Sequence, residues 1–216
     1  MIEDQIEKGY LELPNFKFDK QELINLINNV DINEEWIVNP PGTYLAPNSK
    51  GPNGDYVIKE MPSSIAKNFK KNIYTWNGFV KLWPGALIEP HIDAMYGAGT
   101  GLESFSELQK QLENIGVKNW DTTARECGIF IPVYGDFNQS PTALFYKNPP
   151  ENKLEKIVDL TFKHPTLVKT SGHIFHGVDN RNGIERATYQ VSFNTPLTFE
   201  VVADLILKGE LLHEAR

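Results

Sequence analysis

Residues 127–147, "CGIFIPVYGDFNQSPTALFYK", contain two short apolar runs, 127–137 and 142–147, that are rich in β-branched and aromatic residues. The four residues between them, 138–141, are polar except for a proline. Segments of this kind interrupt regular pairing and mark turns. The stretch therefore predicts two β-strands joined by a short connection.

The same pattern extends through residues 73–193. Comparable runs are "IYTWNGFVKLW" (73–83), "LIEPHID" (87–93), "IVDLTF" (157–162), "PTLVKTSG" (165–172), "HIFHGVD" (173–179) and "RATYQVSF" (186–193). About eight closely spaced strands predict a mainly β domain of the α+β type, built as a sandwich, jelly roll or barrel with helices outside it.

Helical periodicity lies on both sides of this run. Residues 18–30, "FDKQELINLINNV", predict an amphipathic helix with Asp19 as its cap, and residues 61–71 predict a second short helix. A strand is expected at 10–13. Residues 38–56 are dense in Pro, Gly and Asn and predict a long surface loop.

These segments predict one domain. Its parts are a helical support region at 1–72, a β core at 73–197 and a C-terminal helix at 198–216. Within the core, residues 94–124 form an insertion whose central part, 101–117, has an amphipathic helical pattern. We expect this insertion to form part of a lid.

Composition limits the classes of function. The chain has 216 residues, a formal charge of -7 and a single cysteine, Cys127. An acidic protein has no bulk attraction to nucleic acid, and a single cysteine cannot form an internal disulfide. No apolar run approaches the length of a membrane helix. We expect a cytoplasmic protein with no membrane partner and with Cys127 as a small core residue, and the acidic charge disfavours nucleic acid as a partner.

The segment "WPGALIEPHIDAMY" (83–96) carries a candidate metal-binding pair. Residues i and i+2 of a strand point to the same side, so His91 and Asp93 can face one point while Ile92 faces away. A second histidine would complete the set of two histidines and one carboxylate found in non-haem Fe(II) oxygenases. Two candidates for it, His173 and His176, lie in the segment 171–193.

Arg186 follows His176 by ten residues and opens the last strand. If residues 179–185 turn the chain, Arg186 returns beside His176. An arginine there is suited to binding a carboxylate, because its planar fork of donors matches the two carboxylate oxygens.

Together these motifs resemble the Fe(II)/2-oxoglutarate-dependent oxygenase superfamily, in particular prolyl and aspartyl/asparaginyl hydroxylases. "WPGALIEPHID" is similar to the strand that leads into the His-x-Asp motif of that superfamily, and "HGVDNRNGIERAT" to its distal histidine and oxoglutarate-binding arginine. The resemblance covers residues 73–193 and implies a double-stranded β-helix, the distorted jelly roll of these enzymes, with flanking helices.

The resemblance also implies ligands and a reaction. His91, Asp93 and His176 would hold Fe(II), and Arg186 would bind the far carboxylate of 2-oxoglutarate with support from Thr188, which keeps the hydroxyl of the family's serine. Tyr146 could reach the same carboxylate or could be a core aromatic. O2 and 2-oxoglutarate would be consumed, giving succinate, CO2 and in most cases a hydroxylated product.

Several readings compete with these assignments. His173 is interpreted as a surface or supporting residue, and Arg125 as a salt-bridged surface residue rather than a second anion-binding group. The substrate is expected to be a peptide or protein side chain, a free amino acid or another small molecule. A nucleic acid demethylase of the same superfamily is one alternative, and a non-enzymatic cupin-like binding protein is another. The apolar face at 198–216 would pack on the sheet or form a homodimer.

Overall fold

The computed structural model describes residues 2–29, 37–39, 53–57, 60–74, 76–93, 125–148, 153–194 and 196–214. The four described helices are α1 (Ile2–Glu7), α2 (Lys20–Asn28), α3 (Ser63–Ala66) and α4 (Phe199–Leu207). The eleven described strands are β1 (Tyr10–Glu12), β2 (Ile37–Asn39), β3 (Asn53–Val57), β4 (Trp76–Leu82), β5 (Ala86–His91), β6 (Arg125–Tyr134), β7 (Thr142–Asn148), β8 (Lys153–Leu160), β9 (Thr166–Lys169), β10 (Ile174–Asn180) and β11 (Arg186–Asn194).

The strands form two antiparallel sheets. The larger has the order β1-β9-β6-β11-β4-β3-β2 and the smaller the order β5-β10-β7-β8. From β4 onward the chain passes between the sheets at each connection except β7–β8, so that four strands of each sheet interleave in sequence. This is the topology of a double-stranded β-helix, and it confirms the predicted fold class.

The N-terminal region contains strands as well as helices. Strands β1, β2 and β3 extend the larger sheet, with β3 pairing to β4 and β1 to β9. The prediction of an unbroken loop at 38–56 was therefore wrong at both ends, because Val38 and Asn39 pair with Gly54 and Asn53. Strand β3 (Asn53–Val57) is rich in Gly and Asn and lacks the apolar alternation on which strand prediction depends.

Helix α2 begins where its sequence predicted. The Asp19 side chain accepts hydrogen bonds from the backbone N–H groups of Gln21 and Glu22, which would otherwise lack partners at the first turn. Helix α3 is shorter than the predicted 61–71. The Asn68 side chain donates to the carbonyls of Ser64 and Ile65 and so takes over the groups that would continue the helix.

The C-terminal helix also ends early. Helix α4 begins at the cap Thr198 and stops at Leu207, so the prediction of helix through 216 was too long. Leu211 and Leu212 follow as buried residues outside the helix. The predicted helix within 94–124, and the predicted lid, lie outside the described residues.

The larger sheet has two different faces. Its outer face packs with the helices into one large apolar cluster that includes Tyr189, Val191 and Phe193 of β11 and fully buried Cys127 of β6. The inner face, between the sheets, has smaller apolar clusters around Phe130 and Leu82 and a series of buried polar residues. No helix in the described parts of the chain has the length and apolar character that a membrane crossing requires.

Candidate metal centre

An irregularity in β5 directs His91 into the space between the sheets. His91 pairs with His176, and Ile88 pairs with Val178, so three steps along β5 match two along β10. The extra residue is a β-bulge, which reverses the alternation of side chains beyond it. His91 therefore shares the inner face with Ile88 instead of pointing outward.

Gly177 of β10 makes room for this bulge. A Cβ atom at that position would lie 2.8 Å from the Ile88 carbonyl oxygen and 3.0 Å from the Pro90 nitrogen. Pro90 fits the bulge because it has no N–H to donate to a neighbouring strand. Gly177 therefore allows the backbone of β5 to approach β10 closely at the bulge.

His91, Asp93 and His176, hereafter the His–Asp–His cluster, converge between the ends of β5 and β10. Nε2 of each histidine lies 3.6 Å from the same carboxylate oxygen, Oδ1 of Asp93. The three ligand atoms lie within 4.8 Å of one another, and the Asp93 and His176 side chains are each only 10% exposed. Two imidazole nitrogens and one carboxylate oxygen are a set that suits Fe(II).

Hydrogen bonding and burial prepare these groups as ligands. Nδ1 of His91 lies 2.8 Å from the Glu89 carbonyl oxygen and donates to it, which leaves Nε2 as the basic nitrogen facing Asp93. Burial lowers the pKa of His176 to about 3, so its imidazole is neutral at neutral pH.

Asp93 remains ionised although it is buried. Burial alone would raise its pKa, but the positive charge of the nearby Arg125 guanidinium opposes that effect most strongly, and the pKa lies below its ordinary value. The backbone also fixes its place, because the Asp93 N–H donates to the Thr170 carbonyl at 2.9 Å. A neutral histidine and a charged carboxylate are the forms that bind a metal.

Arg125 is the residue that sequence reasoning misjudged most. It is 3% exposed rather than on the surface, and its Nη1 lies 3.0 Å from Asp93 Oδ2. Its Nη2 donates to Gln190 Oε1 at 2.8 Å. The guanidinium therefore contacts the cluster directly.

Arg186 lies 2% exposed at the start of β11. Its Nη1 donates to the Ser140 carbonyl, its Nη2 lies 3.2 Å from Thr142 Oγ1, and its guanidinium carbon lies 4.5 Å from the centre of the Phe137 ring. Within the described residues no carboxylate forms an ion pair with it, and its Nε has no hydrogen-bond partner. Burial lowers the pKa of Arg186 to about 9, which still leaves it charged at neutral pH.

Of the other two predicted site residues, Thr188 lies close to Arg186 and Tyr146 does not. Thr188 is buried on the inner face of β11, two residues from Arg186, and its Oγ1 accepts from Gln190 Nε2 at 3.2 Å. Tyr146 is 41% exposed and lies four residues from Thr142 along β7, a separation of about 13 Å. The structure therefore does not bring Tyr146 to Arg186. Thr142 and Ser140, which were not predicted, occupy that position.

His173 lies outside the cluster. It is exposed at the turn before β10, where its carbonyl accepts from the Lys147 N–H and its ring lies 6.2 Å from that of Tyr146. Of the two histidines that competed as the third ligand, the fold brings His176 to Asp93.

No family model matches the sequence, and no curated protein matches it. Among solved structures, one that is similar is a prolyl hydroxylase from Trichoplax adhaerens, in complex with a fragment of the oxygen degradation domain of hypoxia inducible factor. It has a TM-score of 0.48 and 13% identity over 90% of this chain and 88% of that one.

A Pseudomonas putida prolyl-4-hydroxylase has a TM-score of 0.47 and 12% identity over 89% of this chain and 96% of that one. A predicted oxalate decarboxylase from Thermotoga maritima has a TM-score of 0.34 and 12% identity over 76% and 97% of the two chains. Two of these structural neighbours are prolyl hydroxylases, and both have low sequence identity to this chain.

Proposed function

We propose that the protein is an Fe(II)- and 2-oxoglutarate-dependent dioxygenase whose metal ligands are His91, Asp93 and His176. The observation that carries the proposal is the convergence of two imidazole nitrogens on one oxygen of a buried carboxylate, with all three ligand atoms within 4.8 Å. Three protein ligands leave open positions on an octahedral ion. A chelating cosubstrate and O2 require such positions.

Arg186 is proposed to bind the far carboxylate of 2-oxoglutarate. A buried guanidinium without an anionic partner among the described residues is costly, and a bound carboxylate would satisfy it. Thr142, which contacts the guanidinium, is two residues from Leu144, and Leu144 pairs with His176. This offset is about 7 Å along the strand, a span that suits a five-carbon dicarboxylate.

Thr188 is proposed to support the same carboxylate. Its oxygen already accepts a hydrogen bond from Gln190, so its own hydrogen is available for donation.

When bound, Fe(II) and 2-oxoglutarate would supply the oxidation: O2 is consumed, 2-oxoglutarate becomes succinate and CO2, and one oxygen atom enters a substrate C–H bond. The protein's residues would orient and protect this chemistry. The Glu89 carbonyl holds the His91 tautomer, and Arg125 holds Asp93 ionised. Phe130, Leu144 and Ile174 are buried apolar residues that exclude water around the cluster.

We propose an amino-acid side chain as the substrate, in a peptide, in a protein or in the free amino acid. The support is the resemblance of the His-x-Asp strand and the His-Gly-Val segment to prolyl and aspartyl/asparaginyl hydroxylases. Oxoglutarate turnover measured against a panel of peptides and amino acids would identify the class.

Anaerobic titration tests the site. Fe(II) with 2-oxoglutarate should give a weak visible charge-transfer band in the wild type and none in His91→Ala or His176→Ala. Arg186→Met should still bind Fe(II) but bind 2-oxoglutarate about 10- to 100-fold more weakly, as expected for the loss of charged hydrogen bonds.

His173→Ala is the matched control, because His173 is an exposed histidine outside the cluster. It should give the wild-type band. A wild-type protein without the band, or loss of metal in His173→Ala but not in His176→Ala, would contradict the proposal.

A further inference from the structure

Arg125 contacts the carboxylate oxygen of Asp93 that does not face the histidines. Nη1 of Arg125 lies 3.0 Å from Oδ2, whereas both imidazole Nε2 atoms lie 3.6 Å from Oδ1. The Arg125 side chain is 4% exposed, so solvent does not weaken this ion pair as it would at the surface. Oδ1 of Asp93 therefore faces the two histidines, and Oδ2 faces Arg125.

The fold makes specific room for the guanidinium. The register of β6 against β11 shifts at Phe193/Asn194, which places Arg125 on the inner face together with Gly128 and Phe130. A Cβ atom at Gly128 would lie 2.5 Å from Arg125 Nη2. The Phe130 ring lies 5.3 Å from the guanidinium carbon and 6.5 Å from the His176 ring.

A path of hydrogen bonds connects Arg125 to Thr188, which lies two residues from Arg186 on β11. A guanidinium can only donate, so the Gln190 amide must present its oxygen to Arg125. Its nitrogen then donates to Thr188 Oγ1 at 3.2 Å. Three successive polar contacts therefore lead from the His–Asp–His cluster to the inner face beside Arg186: Asp93 to Arg125, Arg125 to Gln190, and Gln190 to Thr188.

We propose that Arg125 is a positioning residue that restricts Asp93 to one coordinating oxygen and, through Gln190, orients Thr188 beside Arg186, the proposed cosubstrate-binding residue. The inference rests on the metal site of the proposed function. If Asp93 bound the metal through both oxygens, it would occupy a position that the proposed reaction needs, since two go to a chelating oxoglutarate and one to O2. Arg125 on Oδ2 leaves Oδ1 alone for the metal.

Co(II) binding under anaerobic conditions, without 2-oxoglutarate, tests this role. The Co(II) visible spectrum reports coordination number, and titration reports affinity. Arg125→Met should bind Co(II) about 10- to 100-fold more weakly than the wild type, as for other residues that orient metal ligands, and with a changed spectrum. Arg125→Lys keeps the charge but not the fork, so its affinity should lie between the two.

Arg181→Met is the matched control. Arg181 also forms an Arg–Asp ion pair, with Asp179, but that pair is more than half exposed. It should leave the Co(II) affinity and spectrum unchanged. Thermal unfolding with and without Co(II) separates positioning from stability, because a purely structural role would lower both midpoints equally while positioning reduces the shift that Co(II) produces.

The outcomes are distinct. Equal or tighter Co(II) binding by Arg125→Met overturns the inference while leaving the proposed function intact. A wild-type protein that binds no Co(II) overturns both. If Arg125→Met does not fold, Arg125→Lys decides, and wild-type affinity and spectrum in that variant overturn the inference.

Discussion

At the scale of single residues, burial sets the protonation of the His–Asp–His cluster. The His176 imidazole is held neutral in the folded protein with a pKa of about 3, whereas in the unfolded chain its ordinary value is 6.5. Between these values the unfolded state binds more protons than the folded state. Stability must therefore fall as pH falls through this window.

We predict that the metal-free protein loses free energy of unfolding between pH 6.5 and pH 4, with a contribution from His176 of at most about 1.4 kcal/mol per pH unit. Asp93, whose pKa is held below 3.8 in the fold, adds a further loss only below that pH. Urea unfolding at several pH values measures both.

His176→Gln should flatten the dependence above pH 4. The control His164→Gln changes an exposed histidine and should keep the wild-type slope. An equal slope in wild type and His176→Gln would show that other groups cause the loss.

Residue patterns show what the sequence could and could not reveal about the site. Residues 186–193 alternate strictly: Arg186, Thr188, Gln190 and Ser192 are polar, and the residues between them are apolar. That alternation predicts that Gln190 shares a face with Arg186. Arg125 and His91 reach the inner face through register shifts, which have no signature in a single sequence, so the burial of Arg125 beside Asp93 was not predicted.

At the scale of elements, the pairing of β5 with β10 positions half of the proposed site. The bulge at Glu89 and Pro90 turns His91 inward, and it fits only because Gly177 opposite it has no side chain. The pairing of β5 with β10 therefore also determines the direction of the His91 side chain, a proposed metal ligand.

We predict that Gly177→Ala weakens metal binding at least tenfold, because the new methyl group would displace the β5 backbone that carries His91. The overpacking should also lower the free energy of unfolding by about 1–3 kcal/mol. Co(II) titration and urea unfolding measure the two effects.

Val178→Ala is a control with a similar loss of stability, about 1–3 kcal/mol, from a buried residue next to Gly177. It leaves the contact of Gly177 with the bulge unchanged and should bind Co(II) like the wild type. If the two variants bind Co(II) equally, the bulge does not position His91.

At the scale of the whole molecule, the two faces of the larger sheet differ: the outer face forms the main apolar core, and the inner face carries residues of the proposed site. Its outer face is packed by helices, and its inner face faces the smaller sheet. Phe193 and Phe130 lie on opposite faces of the paired strands β11 and β6, and both are buried. They form a matched pair for testing that difference.

We predict that Phe193→Leu and Phe130→Leu each cost about 1–2 kcal/mol of stability, from lost buried volume. Only Phe130→Leu should also weaken Co(II) binding, because Phe130 packs against Arg125 and His176. Equal Co(II) affinities in the two variants would show that the inner face does not support the cluster.

The overall architecture was the part most accessible to prediction, because eight strands in sequence order each carry enough apolar and β-branched residues to be recognised. The edges were less accessible. Strand β2 has only three residues and strand β3 has a composition typical of a loop, and the two form a strand pair because β4 offers an open edge. Helix α3 ends early because the Asn68 side chain donates to the carbonyls of Ser64 and Lys17. The contact with Lys17 is tertiary, and local periodicity does not encode it.

The bulge in β5 has a second consequence, for the behaviour of the protein in solution. In the described part of the chain β5 is the outermost strand of the smaller sheet, and such strands offer free hydrogen-bonding groups to other chains. Pro90 has no N–H to offer, and the bulge bends the backbone away from a straight template. The residues that turn His91 inward therefore also discourage self-association through this edge.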